Sequence, residues 1–463
     1  MSELGASSLT CRICGCVNEA GAHYCAACRT RLTSAEGSSD AASWRRRARR
    51  RRLAFRVAAA ALALLLAAWI AAENIGSARF LPAPASELTS VLTAGDWPTE
   101  GGSPRRAAAA PGPVAPLRGE IAWEADLGAP PGGGAVVLGG VVYAGATDGS
   151  VSAFRASDGA LTWRRDLGAP VSATPSAAGG LLYVGTLDGR VTALRREDGE
   201  VAWSFRTGAP VRSSPAVADG VLYVGSDDRR LYTLDALTGE ERWSFATEGR
   251  ITSGPSVNER LVVVVSQDNF IHFIDRGTAK RWFDYDISLA VGSAAITEDS
   301  AYAADVGGTI RRIRWNNRQW PFEKSVRNIR QWMFRWGMAA RLPPVKGLVW
   351  VTSQPRESFM GTPAVDEQHV YASTASGRVF AYDRRTGAVV WRAELGAPGA
   401  TSPAVRGGEV IVGGSADLAV ALDAATGEER WRVARGAGAA YDIAVGEDAA
   451  YIASLSGALV GIR

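Results

Sequence analysis

A chain of 463 residues with 52 glycines and 15 tryptophans needs many tight turns and a repeated aromatic position, which suits an all-β repeat protein better than a helical enzyme. The formal charge of +4 conceals eight clustered arginines, Arg45, Arg46, Arg47, Arg49, Arg50, Arg51, Arg52 and Arg56, without which the balance is −4; the bulk of the protein has no global nucleic-acid signature. All five cysteines lie between Cys11 and Cys28, which excludes a disulfide framework for the remainder and fits an exported domain.

Residues 1–34 carry Cys11, Cys14, Cys25 and Cys28 as two C-x-x-C pairs separated by ten residues. Two tight turns at that spacing bring four thiolates to one tetrahedron, so a structural Zn2+ is expected. Gly15 permits the first turn, whereas Arg29 stands where a second glycine is usual; Cys16 and His23 are spare ligands. So small a module has almost no apolar core, so metal binding supplies most of its folding free energy. The segment resembles the zinc ribbons at the N-termini of many prokaryotic proteins, and its residues do not choose between nucleic acid and protein as a contact.

A basic segment, 35–52, is followed by Leu53–Ala72, whose stretch from Val57 to Ala72 holds no charge. About twenty residues at helical rise span a bilayer core, and Arg56 reaches the interface by snorkelling. The arginines before the span keep the N-terminus cytoplasmic and place everything after Glu73 outside. An uncleaved signal anchor is expected, because a cleaved signal peptide would need an n-region containing a metal site. Residues 73–119 are rich in Pro, Ala and Gly without periodicity and read as an extended, mobile linker. One exception is Asp96-Trp97-Pro98, a short aromatic motif expected to dock on the domain behind it.

From residue 120 onward, tryptophan recurs at Trp123, Trp163, Trp203, Trp243, Trp282, Trp350, Trp391 and Trp431, spaced by 40, 40, 40, 39, 68, 41 and 40 residues. A period near 40 marks one copied unit. Within it, runs such as Val221-Leu-Tyr-Val and Leu231-Tyr-Thr-Leu, with turn pairs such as Asp148-Gly149 and Asp188-Gly189 after the second strand and Thr426-Gly427 after the third, make four short strands. The predicted fold is therefore all-β: an eight-bladed β-propeller over 120–463, its last blade built from Tyr441–Arg463 together with Glu120–Trp123. Glycines Gly145, Gly185, Gly225 and Gly413 leave room where blades crowd.

Leu181-Leu-Tyr-Val-Gly-Thr-Leu-Asp-Gly-Arg and Thr238-Gly-Glu-Glu-Arg-Trp243 resemble PQQ-type propeller repeats, as found in quinoprotein alcohol dehydrogenases and in BamB-like outer-membrane assembly factors. A quinoprotein of this type is expected to carry an adjacent cysteine pair and calcium ligands. These repeats contain no cysteine, so neither PQQ nor enzymatic activity is expected, and a PQQ-dependent dehydrogenase is the least favoured reading. His272 and His369 stand alone, and Asp148, Asp188, Asp227 and Asp268 recur at one turn position. The BamB resemblance implies protein partners, with an envelope polymer as the other candidate. A lipoprotein cysteine is missing after the apolar segment, which argues against a direct part in outer-membrane assembly. The expected function is a single-pass, membrane-anchored, non-catalytic extracytoplasmic scaffold in the cell envelope. A sensor coupling a propeller ligand to the cytoplasmic zinc ribbon is the alternative.

The 68-residue spacing places an insert, 315–346, between the third and fourth strands of the fifth complete blade. Its residues predict a basic amphipathic helix over Glu323–Ala340, with Trp320, Arg327, Arg330, Trp332 and Trp336 as candidate contacts for a partner or a membrane. Folding back as a cover on the propeller is the third possibility.

Overall fold

The computed structural model describes residues 9–11, 13–19, 22–32, 57–62, 64, 96–109, 115–287, 292–315, 323–338, 347–435, 438, 439 and 441–463. They belong to two compact units, Met1–Ile75 and Gly76–Arg463. In the first, the strands Leu9–Thr10 and Val17–Asn18 pair antiparallel and Tyr24 bridges Arg31. Residues 57–62 and 64, inside the expected span 53–72, are helical. The rest of that span, the basic segment 35–52 and linker residues 73–95 lie outside the described residues. Among the described residues, no helix is long and apolar enough to cross a membrane.

In the second unit eight four-stranded antiparallel sheets form the blades. The first blade steps outward through Val136–Leu138, Val141–Gly145, Ser150–Arg155 and Leu161–Asp166. First strands of successive blades touch one another around a closed ring, so they line the axis. Inner and second strands are buried along their length, whereas the outer strand alternates, burying Trp163 between exposed neighbours. That is the pattern of an edge strand with one face on the next blade.

Both termini complete the eighth blade. Ile121–Asp126 pairs with Ala458–Ile462, from Ile121 opposite Ile462 to Asp126 opposite Ala458. Glu120 and Arg463 exchange two backbone hydrogen bonds of 2.8 Å.

The repeated tryptophans are wedges between blades. Six of the eight donate their indole N–H to a backbone carbonyl of the next blade, as Trp163 does to Arg196 at 2.8 Å and Trp391 to Ala424 at 3.0 Å. Each bond satisfies a buried donor and fixes the angle between two blades. The turn glycine of the next blade lies on the ring: Gly239 has φ +77°, and a Cβ there would stand 2.6 Å from Trp203. At Gly225 a Cβ would meet Ile251 at 2.3 Å, the crowding expected for that set of glycines.

The blades also alternate in a way that a 40-residue period hides. After the third strand, Arg196, Arg276 and Arg384 donate through Nε to Tyr143, Tyr223 and Tyr302 of the preceding blade at 2.9–3.0 Å. Blades between them carry Ala236 and Ala424, whose carbonyls accept from Tyr183 and Tyr371 instead. The structural repeat over much of the ring is therefore a pair of blades.

Strand direction defines two faces. Turns from inner to second strand and from third to outer strand lie on one; the remaining connections lie on the other.

Candidate functional site

The channel and the strap that closes it

Residues 96–109 are the largest departure from the expected mobile linker. They form a strap seated against the inner strands of seven blades. Trp97 exchanges backbone bonds with Val137 at 2.7 and 2.9 Å; Pro98, Pro104, Arg105, Ala107 and Ala108 accept from Ala177, Val257, Ile296, Val365 and Val405 at 2.7–2.9 Å. At the third blade the Thr99 hydroxyl donates to Pro215. Val257, Ile296 and Val365 are the last residues of their inner strands, and Val137, Ala177 and Val405 the last but one, which puts most of the strap on the face that also carries the third-to-outer turns.

The strap holds this course because it satisfies inner-strand N–H groups that face the channel and would otherwise be buried without partners. Its sharpest bend brings Gly101 and Gly102 to φ +71° and +77°, with the Trp97 ring only 2.7 Å from where a Gly102 Cβ would lie. Arg106 and Ala108 also adopt positive φ, near +52°, a conformation that costs about 1 kcal/mol per residue and is held here by surrounding contacts.

Arg106 is fully buried. Its guanidinium donates to Pro255 O at 2.8 Å, Ser214 O at 2.7 Å and Glu100 O at 3.2 Å, and pairs with the Glu100 carboxylate at 2.8 Å. Gly254 has no side chain because Arg106 occupies that space: a Cβ would fall 2.1 Å from the guanidinium.

Above this plug, hydroxyls just before the inner strands link blade to blade. Gly134 N–H donates to Thr174 at 2.8 Å, Gly254 to Ser293 at 2.9 Å, Ser293 to Thr362 at 3.0 Å, Thr362 to Ser402 at 2.9 Å and Ser402 to the Asp442 carboxylate at 3.3 Å. The girdle surrounds a cavity of about 230 Å³ reached by Glu100, Arg212 and Asp442. Burial, and then the nearby Glu100 carboxylate, push Asp442 up to about 6, against the Ser402 contacts and Arg106.

The sign of this shift makes ionised Asp442 a cost. Its contribution to stability is complete below the unfolded carboxylate pKa, near 4, and is lost as pH rises through about 6. Asp442→Asn keeps the oxygen that accepts from Ser402 and should stabilise the ring by about 1–2 kcal/mol at pH 7.5. Melting curves should show that gain vanishing below about pH 4.

The histidines and the turn aspartates are consumed by structure. His272 is buried between Asp284 at 2.8 Å and Asp268 at 3.0 Å, and His369 contacts the Tyr371 hydroxyl at 3.2 Å. Asp148, Asp228 and Asp268 each accept the N–H two residues on, at 2.9–3.1 Å. The residue in register at the third blade is thus Asp228; Asp227, the expected one, pairs with Arg212 at 3.1 Å.

The insert lies where the spacing placed it, between Thr309–Arg314 and Leu348–Ser353. Trp315, however, belongs to the blade: it is buried, and its carbonyl accepts the Trp282 indole N–H at 2.8 Å, in the position of Arg196 or Ala424. The helix runs Glu323–Arg335, shorter than expected, and includes Arg327. Arg330 is exposed, as are Ile329, Trp332 and Trp336, at 57%, 56% and 69%. Val326, Met333 and Phe334 of the same helix are half-buried. Trp320 lies outside the described residues.

The cysteine cluster

The sulfurs of Cys11, Cys14, Cys25 and Cys28 lie within 4.8 Å of one another, with Cys11–Cys28 at 3.5 Å and Cys14–Cys25 at 3.4 Å. Tetrahedral Zn–S bonds of about 2.3 Å imply sulfur separations near 3.8 Å, so the donor set fits zinc. Both knuckles close alike: Gly15 N–H donates to Cys11 O and Arg29 N–H to Cys25 O, at 2.8 and 2.9 Å. Arg29 fills the glycine position by adopting φ +54°. Asn18 ties the knuckles together, accepting from Ala26 at 2.9 Å and donating to Cys16 O at 3.0 Å. The Cys28 backbone N–H, aided by Ala27 and by Cys14 and Cys28 thiol contacts, brings the Cys25 thiol down to about 6. Cys14 accepts from the Cys16 N–H, yet contact with Cys25 raises it. Cys16 and His23 are not part of the cluster.

Relatives

Among solved structures the ring is similar to BamB from Moraxella catarrhalis, with 18% identity, a TM-score of 0.59, and coverage of 75% of this chain and 98% of that one. It is also similar to quinohemoprotein alcohol dehydrogenase from Comamonas testosteroni, at 16% identity and TM-score 0.60, covering 83% and 79%. The computationally designed Ika8 protein matches at 14% and 0.58, covering 75% and 98%. These identities speak for the fold alone. A search of curated proteins by sequence gave no match. The family described as outer membrane protein assembly factor BamB matches residues 112–215, 206–321 and 330–463. With the repeats, the ring and these matches in agreement, the chain belongs to the BamB family.

Proposed function

We propose that this chain is a membrane-tethered, non-catalytic scaffold of the cell envelope: the apolar segment 53–72 anchors it, the ring faces away from the cytoplasm and binds protein partners, and Cys11, Cys14, Cys25 and Cys28 hold a structural Zn2+ on the cytoplasmic side. The observation that carries this reading is how the channel's polar groups are spent. Arg106 is saturated by backbone carbonyls and Glu100, and the girdle hydroxyls accept from neighbouring blades. Recognition is therefore left to the outer surface, where the edge strands expose Leu161, Val201, Val389 and Val390. Edge strands with apolar side chains offer backbone and side-chain contacts to a protein. Membership of the BamB family and the arginine-flanked apolar segment support the placement.

Photo-crosslinkers at Leu161, Val201 and Val389 in intact cells test the reading. Discrete adducts with envelope proteins are expected. A folded ring that yields no adducts, and reduces a dye in the presence of alcohol when PQQ and calcium are added, would overturn it.

A further inference from the structure

We infer that the insert helix lies on an anionic bilayer surface and holds the strap-bearing face of the ring towards the membrane. This rests on the tether proposed above. Three observations carry it. Ile329, Trp332, Trp336 and Met338 are exposed at 53–69%, and the two indoles stand together with centroids 6.0 Å apart. An aromatic pair so placed is costly in water and suited to the headgroup boundary. The helix sequence Glu-Lys-Ser-Val-Arg-Asn-Ile-Arg-Gln-Trp-Met-Phe-Arg holds four basic residues against one acid, and basic charge beside apolar anchors complements anionic lipid.

The third observation is position. The insert leaves the fifth blade by its third-to-outer turn. The strap begins at Asp96, whose carboxylate accepts from Gly139 N–H at 2.9 Å, in the inner-to-second turn of the first blade. Strand direction puts both turns on the same face. Chain arriving from the apolar segment thus joins the ring on the face that carries the helix, which makes that face the one to meet the lipid. A protein partner would equally fit an exposed aromatic pair, but neither the basic excess nor the shared face would then be explained.

The test uses the full chain in nanodiscs of phosphatidylcholine alone or mixed with phosphatidylglycerol, followed by hydrogen–deuterium exchange. The expected result is that residues 323–338 exchange about tenfold more slowly in the anionic discs, a difference of roughly 1.4 kcal/mol in local opening. High salt should weaken that protection, and Trp332→Ala with Trp336→Ala should abolish it while the blades exchange unchanged. Arg330→Glu with Arg335→Glu should remove the lipid dependence without removing the indoles. Equal exchange in both discs would overturn the inference and leave the helix face to a protein. Resistance of the chain to alkaline extraction is scored separately: a chain that washes off has lost its tether, whereas an anchored chain with an unprotected helix refutes only the inference.

Discussion

Arg106→Ala should cost the ring about 3–5 kcal/mol, the loss expected when one partner of a buried ion pair is removed. The guanidinium is fully buried and donates to carbonyls of the third and fourth blades and of the strap itself, so its removal orphans three acceptors and the Glu100 carboxylate together. Denaturation of the detergent-solubilised chain would show the loss, and protease should then cut within 96–109. Adding Glu100→Gln should restore about 1–2 kcal/mol, because the stranded charge is gone while the carbonyls remain unpaired. Arg106→Ala with unchanged stability and intact protease resistance would mean that the strap is not held by this side chain.

Stripping the metal should unfold the first unit and leave the second untouched. A module whose described strands are two residues long has no apolar core of its own, and zinc contributes roughly 10–16 kcal/mol to comparable small folds. Strong chelation, or Cys14→Ser, should therefore erase protection of residues 9–32. One zinc per chain is expected by elemental analysis, retained in Cys16→Ser and lost in Cys14→Ser. The ring's unfolding transition should not move in either variant. A ring that melts earlier on chelation would show that the two units depend on each other.

Much of the ring could be read directly, because tryptophan at the same point of each unit is a side-chain signature with a physical job, wedging blades apart at a set angle. Closure by both ends followed from a strand missing at residue 463 and present at residue 120. The strap could not be read in the same way. Its partners lie in inner strands from Val137 to Val405, and most of its bonds are backbone to backbone, so composition showed only proline, alanine and glycine. Asp96-Trp97-Pro98 gave it away in part; Arg106 looked like any other surface arginine. Trp315 reads as part of the insert because it is aromatic, though it stands 33 residues after Trp282, as Arg196 does after Trp163. Asp227 and Asp228 are adjacent, and only geometry shows which caps the turn. The alternation of Arg196 and Arg276 has a period of two blades, which the one-blade repeat averages away.

The strap also imposes an order in time. It is synthesised before any blade, yet the surface it grips does not exist until the seventh blade has been made, since Ala108 must meet Val405. Closing so long a loop costs entropy that only a finished ring can offset. A segment that leaves the ribosome before every blade is thus among the last to reach its place.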